Sequence, residues 1–358
     1  MTLRRSVLAA GLALGLLAGC TSGGVGGDPF RPRDGAGPAR PACGPGPVRA
    51  ATSPAQDAAL AAWVRGYRTA CPAAPVAVAR SVPAGAEAVV RGQVHLAAAE
   101  RAPATTASPA SPDCRPVGLP VLAAPVTVVH SLPGLPVLTL TPAILARVYL
   151  GQVREWSDPE LAAANPGVRL PAAPIVVVRP AAGTAGTEAL TALLADRVPT
   201  LWTAPPAPVL PAGVTGTAAT DVAAEVRRVP GALGYVDGPV PRASGLAVSG
   251  VDTGSGAVIP TPAAVRAAVA AADVDGDSPD VRVTVDPAAD EPGAYPLALV
   301  GYQVTCAGTG AAAPAVEAFL GYATGDEGQA LLQALGYAPL PDQLRGRVRS
   351  AVAELSTG

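Results

Sequence analysis

Short apolar runs rich in β-branched residues alternate along the chain with segments whose apolar residues recur every three or four positions. Runs of the first kind predict buried strands, and segments of the second kind predict amphipathic helices. The predicted strands are 48–51, 76–79, 94–98, 121–130, 137–140, 175–178, 233–236 and 297–305. The predicted helices are 54–70, 87–91, 142–150, 159–164, 188–195, 218–229, 261–271, 315–322, 327–335 and 341–355. This alternation indicates an α/β fold with a mainly parallel sheet.

The first predicted helix shows how these patterns assign individual residues. Its apolar residues recur at helical spacing, so Trp63 is expected in the core rather than stacked on a ligand. Ser53 precedes Pro54 and is expected to be the N-cap, with proline at the first helical position.

The N-terminus has the features of an export signal. Two arginines precede an uncharged apolar stretch at 7–17, which is followed by Ala-Gly-Cys20. The stretch is too short for a stable transmembrane helix and is typical of a cleaved signal peptide, here 1–19. The cysteine after Ala-Gly resembles a lipobox, in which acyl chains on Cys20 would hold the protein on the outer face of the cell membrane. The alternative is ordinary secretion with cleavage at another small residue.

Composition narrows the possible partners. Segment 20–43 is rich in Gly and Pro and is expected to be a flexible linker. The remaining length suits two lobes rather than one. A formal net charge of −2 gives no electrostatic case for a nucleic acid partner.

Four further cysteines are expected to form two disulfides in an oxidising compartment. They are Cys43, Cys71, Cys114 and Cys306, and they allow three connectivities. A pairing of Cys43 with Cys71 is favoured because it would join the start of a strand to the end of the next helix. A metal site is not expected because no CxxC spacing occurs and His95 and His130 stand alone.

The segment 179–187, Arg-Pro-Ala-Ala-Gly-Thr-Ala-Gly-Thr, is the best candidate for binding chemistry. It leads from a buried strand into a helix, whose first N–H groups lack intrahelical acceptors and attract anions. Arg179 adds a planar cation suited to an oxyanion. The loop also offers glycines for close backbone approach and threonine hydroxyls, at Gly183, Thr184, Gly186 and Thr187. No lysine follows the glycines, which excludes a nucleotide P-loop. The alternative is a Gly/Thr turn that only caps the helix.

Two other patterns point to weaker possibilities. The acidic segment 273–280 does not have the spacing of a twelve-residue calcium loop and is expected to be a surface turn. A cell-surface hydrolase is a remote possibility because no Gly-x-Ser-x-Gly elbow is present. The two histidines lie in apolar runs and are expected to be satisfied core residues.

Several stretches resemble the periplasmic-type phosphate-binding proteins of bacterial phosphate ABC importers. The strongest is 145–171, which contains Gly-Gln-Val-Arg-Glu-Trp-Ser-Asp-Pro and Asn-Pro-Gly turns. Further matches in order are Pro-Gly-Ala-Leu-Gly-Tyr-Val at 230–236, Ala-Tyr-Pro-Leu at 294–297, and the helical segments from 318 to 341. The resemblance extends from about residue 48 to the end, and the N-terminal quarter matches only in pattern.

This resemblance implies a type II periplasmic binding protein with two α/β lobes, two crossover strands and phosphate in the cleft. Lobe 1 would be 44–126 plus 297–358, and lobe 2 would be 127–296. Cys114 and Cys306 would then lie near the crossovers and form the second disulfide. The family implies a monomeric, non-enzymatic protein without a cofactor, whose partners are phosphate and ABC permease subunits.

Carried over to this sequence, the resemblance gives an uneven site. The implied phosphate-binding residues are Thr52, Ser53, Glu100, Arg179, Gly183, Thr184, Gly186 and Thr187. Glu100 stands where the family has an aspartate that accepts the phosphate proton, and Ala185 replaces a serine. Pro54 cannot donate an N–H, and Val-Pro-Ala-Gly at 82–85 replaces a Gly-Ser-Gly turn.

Two functions are therefore weighed: phosphate capture for an ABC importer, or a degenerate member that binds another anion or acts as a sensor or partner-binding surface protein.

Overall fold

The computed structural model describes residues 42–103, 114–135, 137–240, 244–276, 278–287, 291–308, 310 and 312–355. The predicted signal peptide, Cys20 and nearly all of the predicted linker lie outside these residues. No helix within the described ranges is long and apolar enough to cross a membrane.

The strands and helices alternate along most of the chain. The strands are β1 (Val48–Ala51), β2 (Val76–Val78), β3 (Leu96–Ala99), β4 (Arg115–His130), β5 (Thr139–Leu140), β6 (Val176–Pro180), β7 (Thr217–Ala219), β8 (Ala232–Asp237), β9 (Ala247–Val248), β10 (Gly250–Asp252), β11 (Ala257–Val258), β12 (Asp273–Asp275), β13 (Arg282–Thr284) and β14 (Ala298–Ala307). The helices are α1 (Asp57–Ala70), α2 (Ala86–Val90), α3 (Pro142–Tyr149), α4 (Pro159–Ala164), α5 (Ala185–Arg197), α6 (Val222–Arg228), α7 (Pro262–Ala270), α8 (Ala313–Thr324), α9 (Asp326–Ala334) and α10 (Asp342–Ala353).

Two long strands connect two parallel groups of strands in one sheet. The order is β2-β1-β3-β14-β4-β8-β6-β7, in which β14 and β4 run antiparallel to each other and to their outer neighbours. Strand β4 pairs with β14 up to Pro125 and with β8 from Val126 onward. Parallel strands with helical crossovers therefore lie on either side of this change of partner, and the predicted two-lobed α/β fold is confirmed.

Large aromatic side chains fill the core on both sides of the change of partner. Trp63 is fully buried in α1 and donates its indole N–H to the carbonyl of Gly328, which confirms its predicted core position. Trp156, in the turn that precedes α4, is also fully buried and donates to the carbonyl of Gly231. These hydrogen bonds satisfy the one polar group of each ring, so the rings contribute apolar burial without a desolvation cost.

Both disulfides join the cysteines that were expected to pair. Cys43 bonds Cys71 at the end of α1, with a Cα–Cα distance of 5.5 Å. Cys114 bonds Cys306, with a Cα–Cα distance of 5.1 Å, and links the start of β4 to the end of its antiparallel neighbour β14. Both bonds restrict the unfolded chain, an effect worth about 2–5 kcal/mol for each native disulfide.

Two predicted helix starts were wrong. Helix α1 begins at Asp57, and Gln56 occupies the N-cap position without a side-chain hydrogen bond. Ser53 is not the cap, because 53–56 form a turn in which the Gln56 N–H donates to the Ser53 carbonyl at 3.1 Å. Helix α5 begins at Ala185, three residues before the predicted start, because Thr184 caps it.

Three other sequence predictions need correction. The predicted helix at 218–229 is in fact the edge strand β7 followed by α6, which Asp221 caps by accepting the N–H of Ala224. The acidic segment 273–280, predicted to be a surface turn, begins with strand β12, and the rest of it connects β12 to its antiparallel partner β13. Neither histidine is a fully satisfied core residue: His95 is only half-buried, and the Nε2 atom of buried His130 has no hydrogen-bond partner within the described residues.

Candidate anion-binding site

The N-terminus of α5 lies at the carboxyl edge of the parallel strands β6 and β8. The Oγ1 atom of Thr184 accepts the N–H of Thr187 at 3.0 Å and thereby caps the helix. The Thr187 hydroxyl is 2.6 Å from the Tyr235 hydroxyl on β8. These contacts fix the helix start against the neighbouring strand, so the first backbone N–H groups have defined directions.

An aspartate that the sequence analysis did not single out lies at this helix start. Asp237, the last residue of β8, accepts the N–H of Gly186 with Oδ2 at 3.0 Å. Its Oδ1 lies at a longer distance, 3.5 Å, from the hydroxyl of Thr184. A β-carbon at Gly186 would lie 1.8 Å from Oδ1, so only glycine fits beneath this carboxylate. One of the amides expected to serve an anion is therefore already bound to a carboxylate of the protein.

The surroundings of Asp237 oppose its ionisation. Burial, with a smaller contribution from the nearby Glu100 carboxylate, raises the pKa of Asp237 to about 6. The hydrogen bonds from Gly186 and Thr184 and the positive charge of Arg101 act in the opposite direction but do not offset the burial. The carboxyl group can therefore exchange a proton near neutral pH.

The sequence contained the information needed to place Asp237 at this edge of the sheet. Asp237 directly follows the predicted strand 233–236, and the carboxyl ends of neighbouring parallel strands meet at the same edge of a sheet. Because β6 and β8 are parallel neighbours, Asp237 and the loop after Arg179 had to come together.

Glu100 is held on the other side by a network of polar side chains. It follows β3, and its Oε1 atom accepts a short hydrogen bond from the Ser53 hydroxyl and a longer one, 3.3 Å, from Gln56 Nε2. Gln56 also donates to the carbonyl of Ala99 at 2.9 Å, and its Oε1 accepts from Gln303 Nε2 at 3.2 Å. Both glutamines are fully buried, so the position of Glu100 is determined by the core of its lobe.

A cleft of about 540 Å³ separates the two sides of the site. Glu100 and Arg101 line it on one side, and Ala185 and Glu188 of α5 line it on the other. Arg101 and Glu188 form an ion pair across the opening. Glu100 therefore faces the start of α5, as a shared anion site requires.

Arg179 lies near this edge but does not line the cleft. Its Nε atom is buried and has no hydrogen-bond partner among the described residues. The guanidinium is close enough to Tyr235 to favour the ionised phenol, although burial dominates and raises the pKa of Tyr235. Arg179 is thus a half-buried cation near Tyr235, and its buried Nε atom has unused hydrogen-bonding capacity among the described residues.

The remaining predicted residues contribute less directly. The Thr52 hydroxyl donates to the carbonyl of the adjacent Ser53 at 3.2 Å. Gly183 is exposed and packs beside Pro208 and Val209, at the far end of the loop from Gly186. The structure thus brings Ser53 to Glu100, which lines the cleft, and groups Thr184, Gly186 and Thr187 at the start of α5, whose first residue lines the other side. Their roles in binding stay predictions.

Comparison with known proteins identifies the family. A family model for the PBP superfamily domain matches residues 37–327. The chain therefore belongs to the PBP superfamily. The resemblance seen in the sequence is confirmed by a relative, the phosphate-binding protein PstS 3 of Mycobacterium tuberculosis (strain ATCC 25618 / H37Rv), which is 28% identical over 242 residues. The match covers 65% of this chain and 65% of the relative, so it spans less than two thirds of either protein.

Solved structures support the same fold for this PBP-superfamily protein. A phosphate-binding protein of Stenotrophomonas maltophilia has a TM-score of 0.60 at 18% identity, over 85% of this chain and 93% of the other. A Clostridium perfringens protein solved with bound phosphate has a TM-score of 0.54 at 15% identity, over 82% of this chain and all of the other. At these identities the likeness concerns the fold alone.

Proposed function

We propose that this PBP-superfamily protein is a non-enzymatic, extracytoplasmic solute-binding lipoprotein that captures inorganic phosphate for an ABC importer. The observation that supports this most is the placement of Glu100, which the buried Gln56 network directs toward the capped N-terminus of α5. A hydrogen-bond acceptor faces a group of donors across a cleft, and phosphate carries both a proton to donate and oxygens to accept.

Each side of the site would recognise a different part of the anion. The positive end of the α5 dipole, the Thr187 hydroxyl and the Arg179 guanidinium would attract the phosphate oxygens. Glu100 would accept the phosphate proton, and it would repel sulfate, which has no proton to share. Closure of the two lobes would bury the anion and present the liganded form to the permease subunits. Acylation of Cys20 would keep the monomer on the outer face of the cell membrane.

A second candidate function is supported by the same helix start. Ala185 offers no hydroxyl, and the Gly186 N–H is bound to Asp237, so two donors are missing compared with the family pattern. A degenerate family member that binds another anion, or that acts as a sensor or partner-binding surface protein, would tolerate these losses.

Isothermal titration of the delipidated protein with phosphate and sulfate tests the proposal. We expect heat of binding with phosphate and none with sulfate. Arg179→Ala should lower the phosphate affinity by about 100-fold or more, since loss of one charged partner of an oxyanion costs about 3 kcal/mol.

Arg228→Ala is the matched control, because Arg228 is an exposed arginine on α6 that pairs only locally with Glu225. It should bind phosphate like the wild type. Absence of phosphate binding at millimolar concentration would favour the degenerate-member alternative, and full affinity in Arg179→Ala would remove Arg179 from the site.

A further inference from the structure

Two carboxylates, rather than one, lie close to the start of α5. Glu100 is fixed by Ser53 and Gln56 on one side of the cleft. Asp237 is fixed by the Gly186 N–H on the other side, at the start of α5. The Glu100 carboxylate is close enough to oppose the ionisation of Asp237.

A phosphate dianion beside two ionised carboxylates would carry more negative charge than the positive groups at the site can balance. The charged groups that face Asp237 are Glu100 and Arg101 after β3, and the ionisable Tyr235 on its own strand. Arg101 is engaged by Glu188 of α5, and Arg179 of β6 lies beside Tyr235. Arg179 and the partial positive charge of one helix terminus therefore remain to offset two carboxylates and the ligand.

Asp237 retains the capacity to accept a proton from a ligand. Its Oδ2 atom accepts the Gly186 N–H at 3.0 Å, whereas Oδ1 has, among the described residues, a single hydrogen-bond contact, the 3.5 Å one with the Thr184 hydroxyl. A carboxylate oxygen has two lone pairs, so Oδ1 can accept a short O–H···O bond. The raised pKa of this carboxyl group is consistent with a shared proton at this position.

We propose that Asp237 is a specificity-determining residue that makes the site bind the doubly protonated oxyanion, dihydrogen phosphate, through one O–H to Glu100 and one to Asp237. This inference rests on the proposed phosphate function. In this complex, the ligand and the two carboxyl groups together hold two protons. Monohydrogen phosphate beside two ionised carboxylates would hold only one. Placing the second proton on Asp237 with monohydrogen phosphate as ligand gives the same composition, so binding from alkaline solution takes up one proton.

The pH dependence follows from this proton balance. Above neutral pH, free phosphate is mainly the dianion and Asp237 is ionised, so the affinity should fall about tenfold for each unit of pH. Below about pH 6, Asp237 of the free protein is protonated as well, so binding of the monoanion between two ionised carboxylates releases a proton and the affinity should fall again. A site with Glu100 as its only acceptor would instead bind the dianion without proton uptake.

Titration calorimetry of the full chain with inorganic phosphate tests this directly. At about pH 8, in buffers of different ionisation enthalpy, the wild type should take up close to one proton per phosphate bound. Asp237→Asn should take up none, and it should bind at least about tenfold more tightly than the wild type near pH 8.5. Asp326→Asn, at an exposed aspartate on α9 that pairs with Arg345, should behave like the wild type.

The outcomes separate this inference from the function on which it rests. Phosphate binding by the wild type without proton uptake, or an unchanged pH slope in Asp237→Asn, would overturn the role of Asp237 and leave phosphate capture standing. No phosphate binding by the wild type at any pH in this range would overturn both. The proton count of the wild type needs no variant, so it decides the question even if Asp237→Asn folds poorly.

Discussion

At the scale of single residues, the contact between Gly186 and Asp237 determines where the Asp237 carboxylate lies at the start of α5. The carboxylate occupies the space in which any other residue at position 186 would place its β-carbon. This glycine was expected to allow close approach of a ligand, and the approaching group in the structure is a side chain of the protein. Local sequence pattern could not identify Asp237 as the group that contacts Gly186. The two residues are 51 positions apart and meet through the pairing of β6 and β8.

Gly186→Ala should therefore destabilise the protein. The new methyl group overlaps the Asp237 carboxylate, and overpacking of this kind costs about 1–3 kcal/mol. The free energy of unfolding in urea measures the effect. Asp237→Ala in the same chain should restore part of the loss, giving a favourable coupling energy in a double-mutant cycle.

Gly321→Ala provides the control for the Gly186 substitution. Gly321 lies within α8, and a β-carbon there would contact nothing within 4 Å. The substitution should stabilise the protein by about 0.5–1 kcal/mol through helix propensity and unfolded-state entropy. If both alanines raised stability equally, the close contact between Gly186 and Asp237 would be refuted.

At the scale of elements, the sequence located several buried strands closely but misplaced the starts of α1 and α5 and missed the first six residues of β4. Strand β1 and helix α4 have their predicted bounds, and the buried runs that gave β6, β8 and β14 were located within one to two residues. Helices α1 and α5 begin elsewhere because Ser53 and Thr184 have partners that local pattern does not contain. The hydroxyl of Ser53 binds Glu100, and the turn after it delays α1, whereas the Thr184 cap starts α5 one turn early.

The cap of α5 is expected to serve binding as well as stability. Thr184→Ala removes the acceptor for the Thr187 N–H and the contact with Asp237 Oδ1, which should cost about 1 kcal/mol of stability. It should also lower phosphate affinity about fivefold to tenfold, because the helix start loses its fixed geometry. Thermal unfolding and titration calorimetry measure the two effects.

Thr261→Ala removes an equivalent cap from α7, where Thr261 accepts the N–H of Ala264 at 3.1 Å. It should lower stability by a similar amount and leave phosphate affinity unchanged. Equal losses of affinity in the two variants would mean that the effect at Thr184 is general destabilisation rather than a property of the site.

At the scale of the whole molecule, the two crossing strands hold the halves of the site apart and in register. Strand β4 pairs with β14 in one lobe and with β8 in the other, so Glu100 and Asp237 belong to different halves of one sheet. The Cys114–Cys306 disulfide joins β4 and β14 at the ends that lie farthest from the change of partner at Pro125 and Val126. Across the cleft, the two sides are linked by side-chain contacts.

The ion pair between Arg101 and Glu188 is one such contact, and its contribution should be small and salt-dependent. Both side chains are about half exposed, 50% and 42%, so solvent screens the pair and its free energy is about 0.2–1 kcal/mol. Glu188→Gln should lower phosphate affinity about twofold to fivefold in dilute buffer. This difference from the wild type should shrink as ionic strength rises, because salt screens exposed pairs.

Glu87→Gln is the matched control, since Glu87 forms an exposed pair with Arg91 within α2, away from the cleft. It should leave phosphate affinity unchanged at every salt concentration. A salt-independent loss of affinity in Glu188→Gln would contradict a screened contact across the cleft and would imply that Glu188 binds the anion or positions Arg101 against it. An unchanged affinity in dilute buffer would show that lobe closure does not depend on this pair, leaving the anion itself as the main contact between the two halves.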